Sequence, residues 1–369
     1  MTSPIITEAV RTLVERRDLT RIEASAAMDA IMSGVATNAQ IAAFLTALRM
    51  KGETVEELIG FAQVMRSKVA RVRTRGDEVA GRAGHGVAGL TGTDREMLVD
   101  TCGTGGDASG TFNISTATAF VVAGAGLKVA KHGNRSMSGL TAASLCGSAD
   151  VVEALGVNLE LSAAQVGRCV DEVGIGFLYA PLLHTAMKHV MAARREVGFR
   201  TVFNLLGPLT NPAGANAQII GVAAASLTEP LARVLAELGT LRAFVVHGAD
   251  GLDEISSTGE SRISEVREGM VRTFTVRPED FDLPRSSLAD LRGGDREQNA
   301  EIIRALLGGE RGPRRDIVLM NAAAALVVGA HAHDLKQGAA TAARALDTGA
   351  ARHKLDQLVA LSRKLADEK

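Results

Sequence analysis

Tryptophan is absent from this sequence, Tyr179 is its only tyrosine, and aromatic residues make up 3% of its 369 positions. That leaves little material for a nucleic-acid face built on stacked bases. Net charge is scarce too: 41 Lys and Arg stand against 42 Asp and Glu, a formal charge of -1. No overall field gathers nucleic acid or an anionic membrane, so any anion site must be local. The three cysteines, Cys102, Cys146 and Cys169, are widely separated and form no CxxC pair. This argues against a disulfide framework and a zinc knuckle, and fits a reducing cytoplasm. Long hydrophobic runs are missing as well. The longest strongly apolar stretch, residues 322–330, is too short for a bilayer, and the opening residues mix acids and bases without an apolar core, so no signal peptide is expected.

What is present is 46% hydrophobic and 22% charged, the composition of an ordinary globular protein, at a length that favours two domains. Up to about Val72 the pattern is helical, with capping boxes at Thr20 and Glu23, Thr37 and Gln40, and Thr54 and Glu57. Ile41, Phe44, Leu45 and Leu48 share one helical face that stops at Gly52, read as a left-handed cap. Residues 75–93 carry six glycines among charges and read as a connection between domains. Beyond it the character changes. "MLVD", the helix "STATAFVVAGAG" and "LKVAKHG" read as a βαβ unit, with further strands expected at 217–223, 242–248 and 269–276. Residues 164–196 read as helical again, a stretch that can rejoin the N-terminal helices. The fold class is α/β: a small all-helical domain plus a larger α/β domain with a central, mainly parallel sheet flanked by helices.

The segment "DTCGTGGDASGTFNIST", residues 100–116, is the chemical signature. Glycines at 103, 105 and 106 let backbone N–H groups converge on an anion. Asn113, Ser115 and Thr116 then open a helix, whose free N–H groups and dipole favour phosphate. The spacing is neither a Walker A loop nor a Rossmann fingerprint, and an ordinary glycine turn capping a helix would look similar.

Three other segments give that loop partners. "KHGNRSMS" places Lys131, His132, Asn134 and Arg135 at the C-terminal end of the next strand, on the rim where open α/β sheets hold ligands. "HGADGLDEIS" offers adjacent Asp253 and Glu254 after another strand, hard oxygen ligands for magnesium or simply a wet turn. In "LLHTAMKHVMAARREVGFRTVFNLLGPLTNP", an arginine near His184 could take a carboxylate with two hydrogen bonds. Helical phase from His184 favours Arg195 over Arg194 only if the helix is regular throughout, so it does not choose between them.

Together, "GTGGD" with "TFNIST", "KHGNRS", "GSADVVEALG", "RREVGFRTVFNLLGPLTNPA", "VHGADGLDE" and "NAAAALVV" resemble, in order and over nearly the whole chain, the anthranilate phosphoribosyltransferases of tryptophan biosynthesis. The resemblance implies a helical domain at 1–75, rejoined by about 165–198, and an α/β domain at 76–164 and 199–369. It implies a cytoplasmic homodimer formed through the helical domains. Gly103, Gly106, Asp107, Thr111, Asn113, Ser115, Thr116, Lys131 and Ser148 match positions that hold phosphoribosyl pyrophosphate. Ser115, Asp253 and Glu254 match ligands of Mg2+, with two ions expected beside the pyrophosphate. Asn134 and Arg194 match anthranilate-binding positions, with Gly103, His132 and His184 nearby.

In the implied reaction the amine of anthranilate attacks C1 of the ribose as pyrophosphate leaves. A neutral aromatic amine needs no strong base, so Lys131 and His132 are given positional roles and no acid–base residue is assigned. Two departures from the family pattern stand out: the long connection at 76–93, and about five extra residues within 139–144, expected to bulge into solvent. Rival readings are a pyrimidine nucleoside phosphorylase-like enzyme and a non-catalytic nucleic-acid-binding paralogue. The carboxylate-binding pair Asn134 and Arg194 argues against the first. Near-neutral charge and the retained metal positions argue against the second. No nucleic-acid or membrane partner is expected.

Overall fold

The computed structural model describes residues 2–75, 96–107, 109–135 and 146–368. The connection at 76–93 and the extra residues at 139–144 lie outside them.

The chain opens with helices α1 (Pro4–Val14), α2 (Arg21–Met32), α3 (Asn38–Lys51) and α4 (Val55–Lys68). The three expected capping boxes all form: Thr20, Thr37 and Thr54 each accept the N–H of the residue three on, and Glu23, Gln40 and Glu57 reach back to the capping N–H at 2.8, 3.2 and 2.8 Å. Glu57 does more. Fully buried, it also accepts from Leu19 N at 2.9 Å and Lys51 Nζ at 3.0 Å, stapling the α1–α2 turn to the start of α4. Ile41, Phe44, Leu45 and Leu48 are buried as expected, and Phe44 meets Phe61 edge to face. Gly52 has φ 93° but ψ 143°, so it turns the chain without being a left-handed helical cap.

The remainder winds around one sheet. In chain order the elements are β1 (Leu98–Gly103), α5 (Ile114–Gly124), β2 (Lys128–Gly133), α6 (Ser148–Ala154), α7 (Ala163–Val173), β3 (Ile175–Tyr179), α8 (Ala180–Leu183), α9 (Met191–Val197) and α10 (Val202–Leu209). There follow β4 (Ala217–Gly221), α11 (Thr228–Glu237), β5 (Arg242–Gly248), β6 (Ser261–Arg267), β7 (Met270–Val276), α12 (Arg296–Leu307), α13 (Pro313–Val328), α14 (Leu335–Asp347) and α15 (Ala350–Asp367). The strand order is β3-β2-β1-β4-β5-β6-β7. Pairings from β3 to β5 are parallel, whereas β6 and β7 add an antiparallel hairpin. Glu268 and Gly269, both at positive φ, form its two-residue turn, as the right-handed twist of a hairpin demands.

Alternating side chains divide the sheet between two cores. Ile219, Phe244 and Val246 face α5 and α13 to α15, while Ile220, Val222 and Val245 face α10, α11 and the N-terminal helices. The helical module therefore lies on one side of the sheet, reaching it chiefly through α11.

The segment expected to be helical throughout, 164–196, is divided. Val166, Cys169, Val170 and Val173 of α7 belong to the sheet core, and β3 runs parallel to β2 with Lys131 opposite Phe177. Gly174, at φ 92° and ψ 1°, ends α7 and starts a five-residue apolar strand that the flanking helical pattern conceals. Only beyond Tyr179 does the chain meet the N-terminal helices, through the 3₁₀ turn Thr185–His189, α9 and α10. The other strand missing from the sequence reading is β6, whose Ser, Arg and Glu make it too polar to be recognised as one.

Candidate functional site

β1 leads to β2 on one side and β4 leads to β5 on the other, so a crevice opens above the C-terminal ends of β1 and β4. Gly103 and Gly221 are registered opposite one another there. The loop after β5 drops onto this pair. A Cβ on Gly221 would overlap the carbonyl oxygen of Asp253, and one on Gly103 would stand 2.5 Å from Asp253 Oδ2. Close approach alone therefore demands glycine at both positions. Thr104 N donates to Gly221 O at 2.8 Å and Gly105 N to Asp253 Oδ2 at 2.9 Å, locking glycine loop and acidic loop together.

Asn321 of α13 fixes the acidic loop from below. Buried, it accepts from Ile255 N and donates to Ile255 O, both at 3.0 Å. Asp253 and Glu254 are thereby held half-buried at the mouth of the crevice. Burial, then the neighbouring Asp107 charge, pushes the Asp253 carboxyl up to about 7. Burial, then Asp253, raises Glu254 well above the usual range, against the pull of Lys131 and of the Ser115 N–H that it accepts. Two carboxylates in this condition invite a hard cation. Among the described residues no group of three or more His, Cys, Asp or Glu side chains is placed to hold a metal unaided.

Around them, α5 begins without a side-chain cap: Ile114 N donates to Phe112 O at 2.8 Å, Thr116 N to Asn113 O at 3.1 Å, and the Ser115 N–H to Glu254. The Asn113 side chain does not cap the helix; it donates to Cys146 O at 3.2 Å and accepts from Asn299 at 3.0 Å. Thr116 keeps a buried hydroxyl that has no hydrogen-bond partner among the described residues. Asp107 accepts from Ser109 Oγ at 2.5 Å, and Thr111 bridges to Arg292. Lys131, a buried strand residue, sends Nζ to Thr101 O and, at 3.4 Å, to Ser115 Oγ. Gly106 lies against Arg200, and Gly133 approaches Ser148 so closely that a Cβ there would overlap the hydroxyl.

On the other side, His132 and His184 are both buried, with their Nε2 atoms 3.2 Å apart. Burial holds His184 down at about 4. Burial, then His184 and Lys131, holds His132 well below the ordinary histidine range. Asn134 is exposed; its carbonyl takes Ala149 N at 3.1 Å, which sets the start of α6 and Ser148 beside β2. Its side chain turns to Arg135 N at 2.8 Å, and no hydrogen bond joins it to His184 or Arg194 among the described residues.

Arg194 is half-buried over the Phe203 ring, 5.4 Å from its centroid, with no acidic partner among the described residues. Burial lowers its guanidinium to about 10. Arg195 is exposed. Phase from His184 is uninformative because His184 ends α8 and a 3₁₀ turn intervenes before α9.

Four residues of this site were not singled out from sequence: Asp100, Arg200, Asn211 and Asn321. Asp100 is fully buried, accepting from His132 N at 3.1 Å and Asn211 Nδ2 at 2.8 Å, while Asn211 also donates to Ala130 O at 2.9 Å. Their signal was a polar side chain inside an apolar run, as in "VLMNAAAA" and "GPLTNP".

Known proteins share this chain's sequence pattern and fold. Residues 7–69 match the model of the helical bundle domain of a glycosyl transferase family, and residues 95–352 match the model of its a/b domain. The anthranilate phosphoribosyltransferase of Symbiobacterium thermophilum is 53% identical over 359 residues, 97% of this chain and 98% of that protein. The crystal structure of the Thermus thermophilus anthranilate phosphoribosyltransferase superposes with a TM-score of 0.85 at 40% identity, covering 96% of this chain and 99% of that one. The Saccharomyces cerevisiae enzyme in complex with PRPP and Mg gives 0.84 at 26% identity, over 99% of both chains. The chain thus belongs to the anthranilate phosphoribosyltransferases, within the glycosyl transferase family whose helical bundle and a/b domains it carries.

Proposed function

We propose that this chain transfers the phosphoribosyl group of 5-phosphoribosyl 1-pyrophosphate to the amine of anthranilate, releasing pyrophosphate, as a step of tryptophan biosynthesis. The observation that carries the reading is a pairing of opposites on joined segments. Half-buried carboxylates of raised proton affinity are locked to the glycine loop, and the segment whose Arg200 touches that loop also carries Arg194, a guanidinium with no acidic partner among the described residues.

On the donor side, the glycine loop beyond Gly105 and the positive dipole end of α5 suit phosphate, and Thr111, Asn113, Thr116 and Ser148 are assigned to the same rim. Lys131 stabilises the charge that builds on departing pyrophosphate. Asp253 and Glu254 fit a magnesium ion: this ion binds through one or two carboxylates plus substrate phosphates, and their raised proton affinity marks uncompensated negative charge. Ser115 Oγ would complete the protein's share. Bound there, Mg2+ would neutralise pyrophosphate charge, and two ions are part of the proposal. On the acceptor side, Arg194 takes the anthranilate carboxylate, with Asn134, Gly103 and the neutral His132–His184 pair shaping the pocket. The histidines orient: the attacking amine is already neutral and needs no base beforehand, and the proton it sheds once the C–N bond to C1 forms and the C1–O bond to pyrophosphate breaks passes to departing pyrophosphate or solvent.

The enzyme is further proposed to act in the cytoplasm as a homodimer through its helical domains. Val14, Ile22, Val35 and Met50, exposed apolar side chains on that module, support this mode of assembly. No helix of the described residues is long and apolar enough to cross a membrane.

Purified protein given donor and Mg2+ with anthranilate, uracil or no acceptor tests the reading. Phosphoribosylanthranilate and pyrophosphate should appear one for one with anthranilate alone, and turnover of uracil instead would overturn it.

A further inference from the structure

Arg200 lies between α9, which carries Arg194, and α10, which carries Phe203 beneath the Arg194 guanidinium. It leaves that segment to reach the glycine loop. Its Nη2 donates to Thr104 O at 3.0 Å, and its Nη1 fills the space beside Gly106 where a Cβ would stand. Asp253 and Asp107 are the opposite charges near it, and Arg49 of α3 is a like charge. The half-buried Arg200 thus touches donor-side backbone while its own chain positions the acceptor-side arginine.

We propose that Arg200 is a positioning residue that couples the two substrate sites: it holds the glycine loop in its phosphate-binding shape from the segment that binds the acceptor carboxylate. The proposal rests on the assignment of donor and acceptor sides given above. Arg194 and Phe203 pin the two ends of the 194–203 segment to each other, so a carboxylate drawn to Arg194 acts on the segment as a unit. Arg200 is its only side chain with a hydrogen bond to the glycine loop among the described residues. Coupling of this kind is reciprocal: each substrate should tighten binding of the other by the same factor.

The test is a matrix of initial rates over donor and acceptor concentrations for the parent protein, Arg200→Ala and Arg200→Lys. In the parent, each substrate should lower the apparent KM of the other. Arg200→Ala should raise donor KM about tenfold and abolish that mutual effect while reducing kcat less. Arg200→Lys, which keeps the charge and a donor, should recover part of both. A folded Arg200→Ala protein with the parent's donor KM and an undiminished mutual effect overturns the proposal. If Arg200→Ala does not fold, Arg200→Gln replaces it with the same readings. Calorimetric titration of donor with Mg2+ keeps this separate from the reaction itself: without any turnover, an unchanged donor Kd in the variant still overturns the role of Arg200, and a tenfold weaker one supports it.

Discussion

His132 Nε2 and His184 Nε2 face each other at 3.2 Å, joining the end of β2 to the turn that enters the helical module. Such a contact holds only if one ring donates and the other accepts, which requires at least one neutral ring. Burial disfavours charge on both. In a titration of ring resonances, His184 should change near pH 4, and His132 should also change well below the ordinary histidine range. A midpoint between 6 and 7 for either ring would mean that this pair is solvated and not the closed contact described.

Arg194 should govern acceptor affinity. Replacing it with alanine removes a charge-assisted pair of hydrogen bonds, so KM for anthranilate should rise about 10- to 100-fold with donor KM affected less. Lysine should restore little of this, because it lacks the planar fork. Steady-state kinetics with each substrate varied in turn decide the point.

Asp253 links metal affinity to pH. Its folded value of about 7 lies above its ordinary 3.8, so its contribution to stability is complete below 3.8 and lost as pH rises through 7. The buried histidines act oppositely, but only below 6.5, where the unfolded chain would bind their protons. Between pH 6.5 and 8 the metal-free protein should therefore melt at falling temperature, and Asp253→Asn should flatten this trend. Mg2+ should bind more tightly across the same interval as it displaces the proton. Thermal melts with and without Mg2+ measure both effects, and a parent curve rising from pH 6.5 to 8 would contradict the assignment.

Asn321 supports the acidic loop without touching solvent. Asn321→Leu leaves Ile255 N and O unpaired in the interior, which costs about 2 to 6 kcal/mol by the usual penalty for two buried polar groups. A lower melting temperature and a higher Mg2+ requirement should appear together. Lost stability with an unchanged Mg2+ requirement would show that the loop keeps its shape without Asn321.

The parts legible in the sequence were those fixed by short-range chemistry. Thr20, Thr37 and Thr54 announced their helices because a capping box is closed within four residues. The 100–116 loop, which alone could be an ordinary glycine turn, announced itself through the company of "KHGNRS" and "VHGADGLDE" at other strand ends. What stayed hidden depends on partners far along the chain. β3 is a strand because β2 lies beside it, and β6 is one because β5 and β7 flank its polar residues. Asp100 looked like the tail of an apolar strand until Asn211, 111 residues away, proved to hold it. Nothing local sets Arg200 apart from Arg194 and Arg195, and only the fold brings it to Thr104.

The central claim is tested most directly by following anthranilate fluorescence with purified protein, phosphoribosyl pyrophosphate and Mg2+, alongside an identical reaction in chelator. Loss of signal that needs donor, protein and Mg2+ together is the expected result. A protein that binds the donor and Mg2+ normally yet leaves the fluorescence unchanged would contradict it.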